Sequence, residues 1–180
     1  MEEGLHEIGE IDIFGDEALL RRLAWEPWLV VAAGGVALAC VCAVSGTGFT
    51  GGLPAFALSL ALLAASFAVH ELVHGLFFKI FGGRACHVSF GAKAGMLYTR
   101  SAGCRLPKGQ FIVVLMAPTV VVTALLAWAG AALMMEADLA ACAILNLSGC
   151  VGDWEMVRAI VSTPGVTMVE DTERGVKLLG

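Results

Sequence analysis

The sequence has little charge. Only 15% of its 180 residues are charged and 58% are hydrophobic, whereas a soluble domain carries about 25% charged residues. No Asp or Glu occurs between Glu71 and Glu136, although several Lys and Arg residues lie in that interval. A mean hydropathy of +0.84 excludes an ordinary soluble domain, and a pI near 5.3 excludes the basic face that nucleic-acid binding requires. We therefore expect an integral membrane protein that binds no nucleic acid.

The six cysteines include no Cys-x-x-Cys pair. The chain also lacks the small, polar character of a secreted disulfide scaffold, so we expect the cysteines to remain thiols. Cys86 and Cys104, together with His87, form a second candidate metal site, but their spacing matches no regular zinc pattern. No secretory signal peptide is evident, because the first apolar run begins only near Trp28.

Four apolar runs are long enough to cross a bilayer, which takes about 20 residues as helix. They are residues 28–45, 53–81, 111–129 and 139–160. The sequence thus predicts an all-α integral membrane protein, a four-transmembrane-helix bundle occupying residues 28–161. An amphipathic segment, residues 1–27, precedes it, and a tail, residues 162–180, follows.

The polar segments have their own local patterns. Asp16 predicts the cap of a short helix through Leu23, lying on the membrane surface or against the bundle. β-prone runs around Gly91–Gly95 predict a hairpin between the second and third helices, and a similar pattern around Glu170–Gly175 predicts a second one in the tail. Lys and Arg concentrate in the two ends and in the 82–110 loop, which predicts that both termini and this loop are cytoplasmic.

The second apolar run contains His70-Glu71-Leu72-Val73-His74. Residues four apart lie on one face of a helix, so His70 and His74 can bind one metal ion together. Glu71 follows directly and is placed to act as the general base of a zinc hydrolase. Ionisable side chains inside a span cost about 2.5–3.5 kcal/mol each, which favours function over packing.

A catalytic zinc ion takes three protein ligands, and Asp153 is the candidate for the third. It lies in the fourth apolar run, at a depth similar to His74. Glu155 is the runner-up ligand, and a helix-end ion pair with Arg158 or Arg100 is the alternative role for Asp153.

Asn146 shares a helix face with Asp153, because the two residues are seven positions apart. It is either a helix–helix hydrogen-bonding residue or a catalytic oxyanion donor.

These residues together resemble the site-2 protease family of intramembrane zinc metalloproteases, which places His-Glu-x-x-His in one span and a metal-binding Asp in a later one. The second motif matches only in Asn146 and Asp153. The sequence is more similar to small four-span membrane zincins, through His70–Gly75, Ala117-Pro118 and the stretch from Ser148 to Asp153. The resemblance implies one Zn²⁺ ion and, by analogy, peptidase activity.

The expected function is an intramembrane zinc metalloprotease. It would hydrolyse a peptide bond of a membrane-anchored protein or peptide near the cytoplasmic face, within the lipid bilayer. The hairpin would hold an extended substrate by strand addition or form a lid over the site. A non-catalytic metal-binding adaptor is the alternative, and metal transport ranks last because the first and third runs hold almost no polar residues. A homo-oligomer is compatible with the sequence.

Overall fold

The computed structural model describes residues 5–12, 15–93, 96–172 and 175–180. Contacts divide the chain into two units, which we call the sheet unit (residues 1–22, 71–117 and 152–180) and the helical unit (residues 23–70 and 118–151). The helices are α1 (Glu17–Ser45), α2 (Leu53–Gly82), α3 (Lys108–Leu133), α4 (Glu136–Gly149) and α5 (Val151–Ser162). The strands are β1 (Glu7–Asp12), β2 (His87–Lys93), β3 (Met96–Ala102), β4 (Arg105–Pro107), β5 (Met168–Asp171) and β6 (Gly175–Leu179).

Among the described residues, three helices are long and apolar enough to cross a membrane, namely α1, α2 with the turn after it, and α3. This indicates a membrane protein. The predicted cap is confirmed, because Asp16 Oδ1 accepts hydrogen bonds from the Ala18 and Leu19 N–H groups at 2.8 and 3.0 Å. The prediction of a short separate helix ending at Leu23 is wrong, since α1 continues without interruption to Ser45.

The prediction of an all-α, four-transmembrane-helix bundle is wrong. The fourth apolar run is divided at Cys150 into α4 and α5, of 14 and 12 residues, and each is shorter than the roughly 20 residues of a spanning helix. Helix α5 also carries the buried Glu155, whose carboxylate binds Arg22 at 3.0 Å and Arg158 at 2.6 Å. Such charge suits a protein-lined environment and not lipid. The described residues also form six strands in two antiparallel sheets, so the protein is not all-α.

Both sheets lie in the sheet unit. The predicted hairpin between α2 and α3 is confirmed as β2 and β3, which pair from His87–Ala102 to Lys93–Met96. The predicted tail hairpin is confirmed as β5 and β6, and it belongs to a four-stranded sheet of order β1-β6-β5-β4. The turn residues 94–95 and 173–174 lie outside the described residues, as do residues 1–4 and 13–14 of the N-terminal segment.

The core of the sheet unit sits between its helices and strands, with Phe78, Phe111 and Ile160 among its buried side chains. The expectation that all cysteines are thiols is wrong, because Cys86 and Cys104 form a disulfide at the base of the β2–β3 hairpin. That bond also removes the candidate second metal site with His87.

The helical unit packs α2, α3 and α4 around a separate core that includes Val122, Leu126 and Leu139. Helices α3 and α4 are joined by a Schellman turn, in which the Met135 N–H donates to the Gly130 carbonyl oxygen at 2.8 Å. Met134 takes the left-handed position that glycine usually fills, with φ 55°. The predicted division into an N-terminal segment, a membrane domain and a tail, with boundaries after residues 27 and 161, stays a prediction.

Candidate metal centre

His74 lies on α2 and is held by two partners within the sheet unit. Its Nδ1 lies 3.0 Å from the Val114 carbonyl oxygen on α3. A carbonyl oxygen can only accept, so Nδ1 carries the hydrogen and Nε2 is the nitrogen left to bind a metal. Nε2 lies 3.4 Å from Asp153 Oδ1 at the first turn of α5. The residue is buried, with 7% of its surface exposed.

The donor set fits a zinc ion. His70 precedes His74 by one turn of the uninterrupted helix α2, and ligand atoms of His70, His74 and Asp153 all lie within 4.8 Å of one another. Zinc ligands about 2.0–2.1 Å from the ion at tetrahedral angles lie about 3.3–3.4 Å apart, close to the 3.4 Å between His74 Nε2 and Asp153 Oδ1. Two imidazoles and one carboxylate leave one position for water, as in a catalytic site.

Glu71 is held by a residue that the sequence analysis did not single out. Thr99 Oγ1, on β3, lies 2.7 Å from Glu71 Oε2 and 2.8 Å from the Glu71 carbonyl oxygen. The hydroxyl has one hydrogen, so it serves one of these acceptors at a time. Thr99 looks like an ordinary β-forming residue in the sequence, and nothing in its spacing from Glu71 signals this contact.

The β2–β3 hairpin packs directly on the helix turn that carries His74. A Cβ atom added at Gly75 would lie 2.7 Å from Phe90 Cζ and 3.1 Å from Val88 Cγ1. A larger residue at this position would have to displace at least the Phe90 ring. The glycine that follows the His-Glu-x-x-His motif is therefore the sequence signal that marks where the hairpin rests.

Asn146 is fully buried on α4 in the helical unit. Its Nδ2 donates to Ser66 Oγ on α2 at 3.2 Å, which is the helix–helix hydrogen bond that one of the two sequence interpretations predicts. Its Oδ1 is buried without a hydrogen-bond partner among the described residues. The catalytic role of Asn146 stays a prediction.

The other candidate ligand lies elsewhere in the sheet unit. Glu155 binds Arg22 and Arg158 and is not part of the His70, His74 and Asp153 cluster. The Arg158 side chain, one of two alternative partners for Asp153, thus has an ion pair with Glu155.

Asp171, at the end of β5, lies in the electrostatic neighbourhood of His74. Its Oδ2 accepts the Ser101 N–H at 2.7 Å. Burial raises the pKa of Asp171 to about 6, although the hydrogen bonds from Ser101 and the charges of Arg100 and His74 act in the opposite direction. This carboxylate was not anticipated, because its place beside β3 depends on strand pairing across the chain.

The fold and the site define a membrane protein with a zincin-like metal centre. A family model described as putative zincin peptidase matches residues 63–167, a range that includes His70, Glu71, His74 and Asp153. The chain belongs to this family, and membership indicates a metallopeptidase that uses zinc. No curated protein and no solved structure matches the chain.

Proposed function

We propose that the chain is an intramembrane zinc metallopeptidase, similar in action to the site-2 proteases, that hydrolyses a peptide bond of a membrane-anchored protein near the cytoplasmic face. The observation that carries the proposal is the cluster of His70, His74 and Asp153, of which the two histidines lie on a helix apolar enough to span a bilayer. A peptidase whose ligands lie on such a helix acts on substrates that share the membrane. The coarser class, a metallopeptidase, comes from the family.

The residues divide the chemistry between them. A zinc ion bound by the three ligands would polarise the scissile carbonyl and lower the pKa of a water to about 7. Glu71 takes the proton of the attacking water on its carboxylate and passes it to the leaving amine. Thr99 orients that carboxylate when its hydroxyl donates to Oε2 and not to the Glu71 carbonyl oxygen. The Val114 carbonyl oxygen fixes the ring of His74 by accepting its Nδ1–H.

The β2–β3 hairpin is the proposed substrate support. Its exposed side chains include Phe90, Leu97 and Tyr98, and its β2 and β3 pair with each other. An extended substrate segment added to one edge would place its main chain next to Thr99 and Glu71. A lid that only covers the site is the alternative role of the hairpin.

The orientation in the membrane rests on the distribution of Lys and Arg, which supports cytoplasmic termini. The Cys86–Cys104 disulfide is the observation against this orientation, because disulfides are rare in the cytosol. Mass spectrometry of the protein, alkylated directly on lysis, shows whether this bond exists in the cell. A fully alkylated pair would agree with the cytoplasmic placement.

The test of the function is Glu71→Gln, with Glu136→Gln as a control at an exposed carboxylate. We expect Glu71→Gln to retain zinc at the wild-type ratio and to lose cleavage of quenched peptides in detergent by at least about 100-fold, the usual contribution of a general base. Glu136→Gln should cleave normally. Wild-type turnover by Glu71→Gln would refute the mechanism. A metal-binding adaptor, the non-catalytic alternative, predicts that no preparation cleaves and that Glu71→Gln leaves the cellular phenotype unchanged.

A further inference from the structure

Cys150, at the junction of α4 and α5, is a buried thiol that contacts a metal ligand. None of its surface is exposed. Its Sγ lies 3.7 Å from His70 Nδ1 and 3.5 Å from the Asn146 carbonyl oxygen. All three residues belong to the helical unit. The direction of the hydrogen bond between this sulfur and His70 depends on which ring nitrogen of His70 carries the hydrogen.

The direction follows from what each group can do. The Asn146 carbonyl oxygen can only accept, whereas His70 Nδ1 donates or accepts according to its tautomer, so the single Cys150 S–H has two candidate acceptors. If Nδ1 accepted the S–H, Nε2 of the neutral ring would carry the hydrogen and neither nitrogen could bind a metal. Metal binding therefore requires Nδ1–H to donate to the sulfur and the S–H to donate to the Asn146 carbonyl oxygen. His70 Nε2 is consequently the nitrogen that binds the metal. His74 has the same arrangement, since its Nδ1–H donates to the Val114 carbonyl oxygen at 3.0 Å.

The position of the thiol is fixed by the packing of α4 on α2. Asn146 Nδ2 donates to Ser66 Oγ at 3.2 Å, and Ser66 Oγ donates to the Leu63 carbonyl oxygen at 2.7 Å. One turn after Asn146, Gly149 lets the Phe67 ring approach, because an added Cβ would lie 3.2 Å from Phe67 Cε1. These contacts hold the end of α4, and with it Cys150, at a set distance from the His70 turn of α2.

Cys150 is not itself a ligand in this geometry. The group of side chains whose ligand atoms lie within 4.8 Å of one another consists of His70, His74 and Asp153. The thiol therefore contacts Nδ1 of the His70 ring and lies outside the cluster of ligand atoms.

We propose that Cys150 is a positioning residue for the metal centre, which accepts the His70 Nδ1 hydrogen and thereby presents Nε2 to the ion. This role rests on the metal centre described under Proposed function, but it does not depend on peptidase activity. Hydrogen-bond partners of ligating histidines typically change metal affinity by about 10- to 100-fold when removed. A neutral sulfur acceptor is weak, so we expect the lower end of that range.

The experiment compares two substitutions that separate hydrogen bonding from packing. Cys150→Val fills the space of the thiol but has no acceptor, whereas Cys150→Ser keeps an acceptor. Cys142→Val is the matched control, because Cys142 is also buried on α4 and its thiol donates to the Ser59 carbonyl oxygen at 3.5 Å. The measurement is zinc affinity of each purified full-length protein by competition with a chromogenic chelator, and cobalt(II) spectra are recorded alongside.

We expect Cys150→Val to bind zinc about tenfold more weakly than the wild type, with Cys150→Ser and Cys142→Val close to the wild type. Unchanged affinity in Cys150→Val would overturn the proposal. Equal weakening in Cys150→Val and Cys150→Ser would also overturn it, because packing would then explain both. A sulfur-to-cobalt charge-transfer band that disappears in Cys150→Ser would show that the thiol is a ligand, which contradicts a positioning role. Failure of the wild type to bind zinc would refute the metal centre itself. Zinc binding without cleavage would refute the peptidase function and not the positioning role of Cys150.

Discussion

Asp171 links the stability of the sheet unit to pH. Burial raises the pKa of this carboxyl from 3.8 to about 6, so the folded protein holds a proton there that the unfolded chain has already released between these two values. The stability contributed by that proton is fully present below pH 3.8 and is lost as the pH rises through about 6. A difference of about 2 pKa units corresponds to about 3 kcal/mol.

The substitution Asp171→Asn removes the charge and keeps an oxygen to accept the Ser101 N–H. Near pH 4 the variant and the wild type should unfold at similar temperatures. At pH 7.5 the ionised wild type bears the cost of about 3 kcal/mol, and the variant should unfold at a temperature higher by about 6–12 °C, at about 2–4 °C per kcal/mol for a chain of this size.

The assay is thermal unfolding in detergent across this pH range, with a chelator present, because a bound cation near His74 would favour the ionised form of Asp171. Glu10→Gln, at an exposed carboxylate of the same sheet, serves as the control and should give no pH-dependent difference. A difference in unfolding temperature between Asp171→Asn and the wild type that is the same at pH 4 and at pH 7.5 would refute the reasoning.

Two further predictions concern the site. Thr99→Val should lower kcat by about 10- to 100-fold without loss of zinc, because hydrogen bonds to charged groups contribute about 1.5–3 kcal/mol, and Thr99→Ser should restore most of the rate; a normal kcat in Thr99→Val would show that Glu71 needs no support. Asp153→Ala should lose most of the bound zinc by atomic emission, whereas Glu155→Ala should retain it, and equal zinc in Asp153→Ala and the wild type would sink the third-ligand assignment.

The metal centre could be predicted from the sequence because its residues either follow a short-range helical spacing or place a charge in an apolar run, which costs free energy. The spacing of His70 and His74 is a helical repeat, and Asp153 stands out as a carboxylate in an apolar run, where charge requires a reason. The β2–β3 hairpin was equally readable, since its two β-prone runs are separated by a glycine-containing turn.

The features that were missed depend on pairing between distant parts of the chain. Strand β1 is a short segment that becomes a strand only by pairing with β6, from Glu7–Leu179 to Asp12–Gly175. The break at Cys150 was hidden because hydropathy averages over a window and does not register that Glu155 finds two arginine partners. The Thr99 contact likewise follows from where the hairpin packs on α2, which includes the close approach of Phe90 to Gly75.

Strand β6 gives the protein an order of assembly. It lies between β1 and β5 in the sheet, with Val176, Leu178 and Leu179 buried, yet both of its partners leave the ribosome before it. The sheet that contains Asp171 consequently cannot close until β6, which follows the last helix along the chain, has been synthesised, and contacts between such distant segments form slowly. Closure of the sheet around Asp171 is thus a late step of folding, after α1 to α5 have been synthesised.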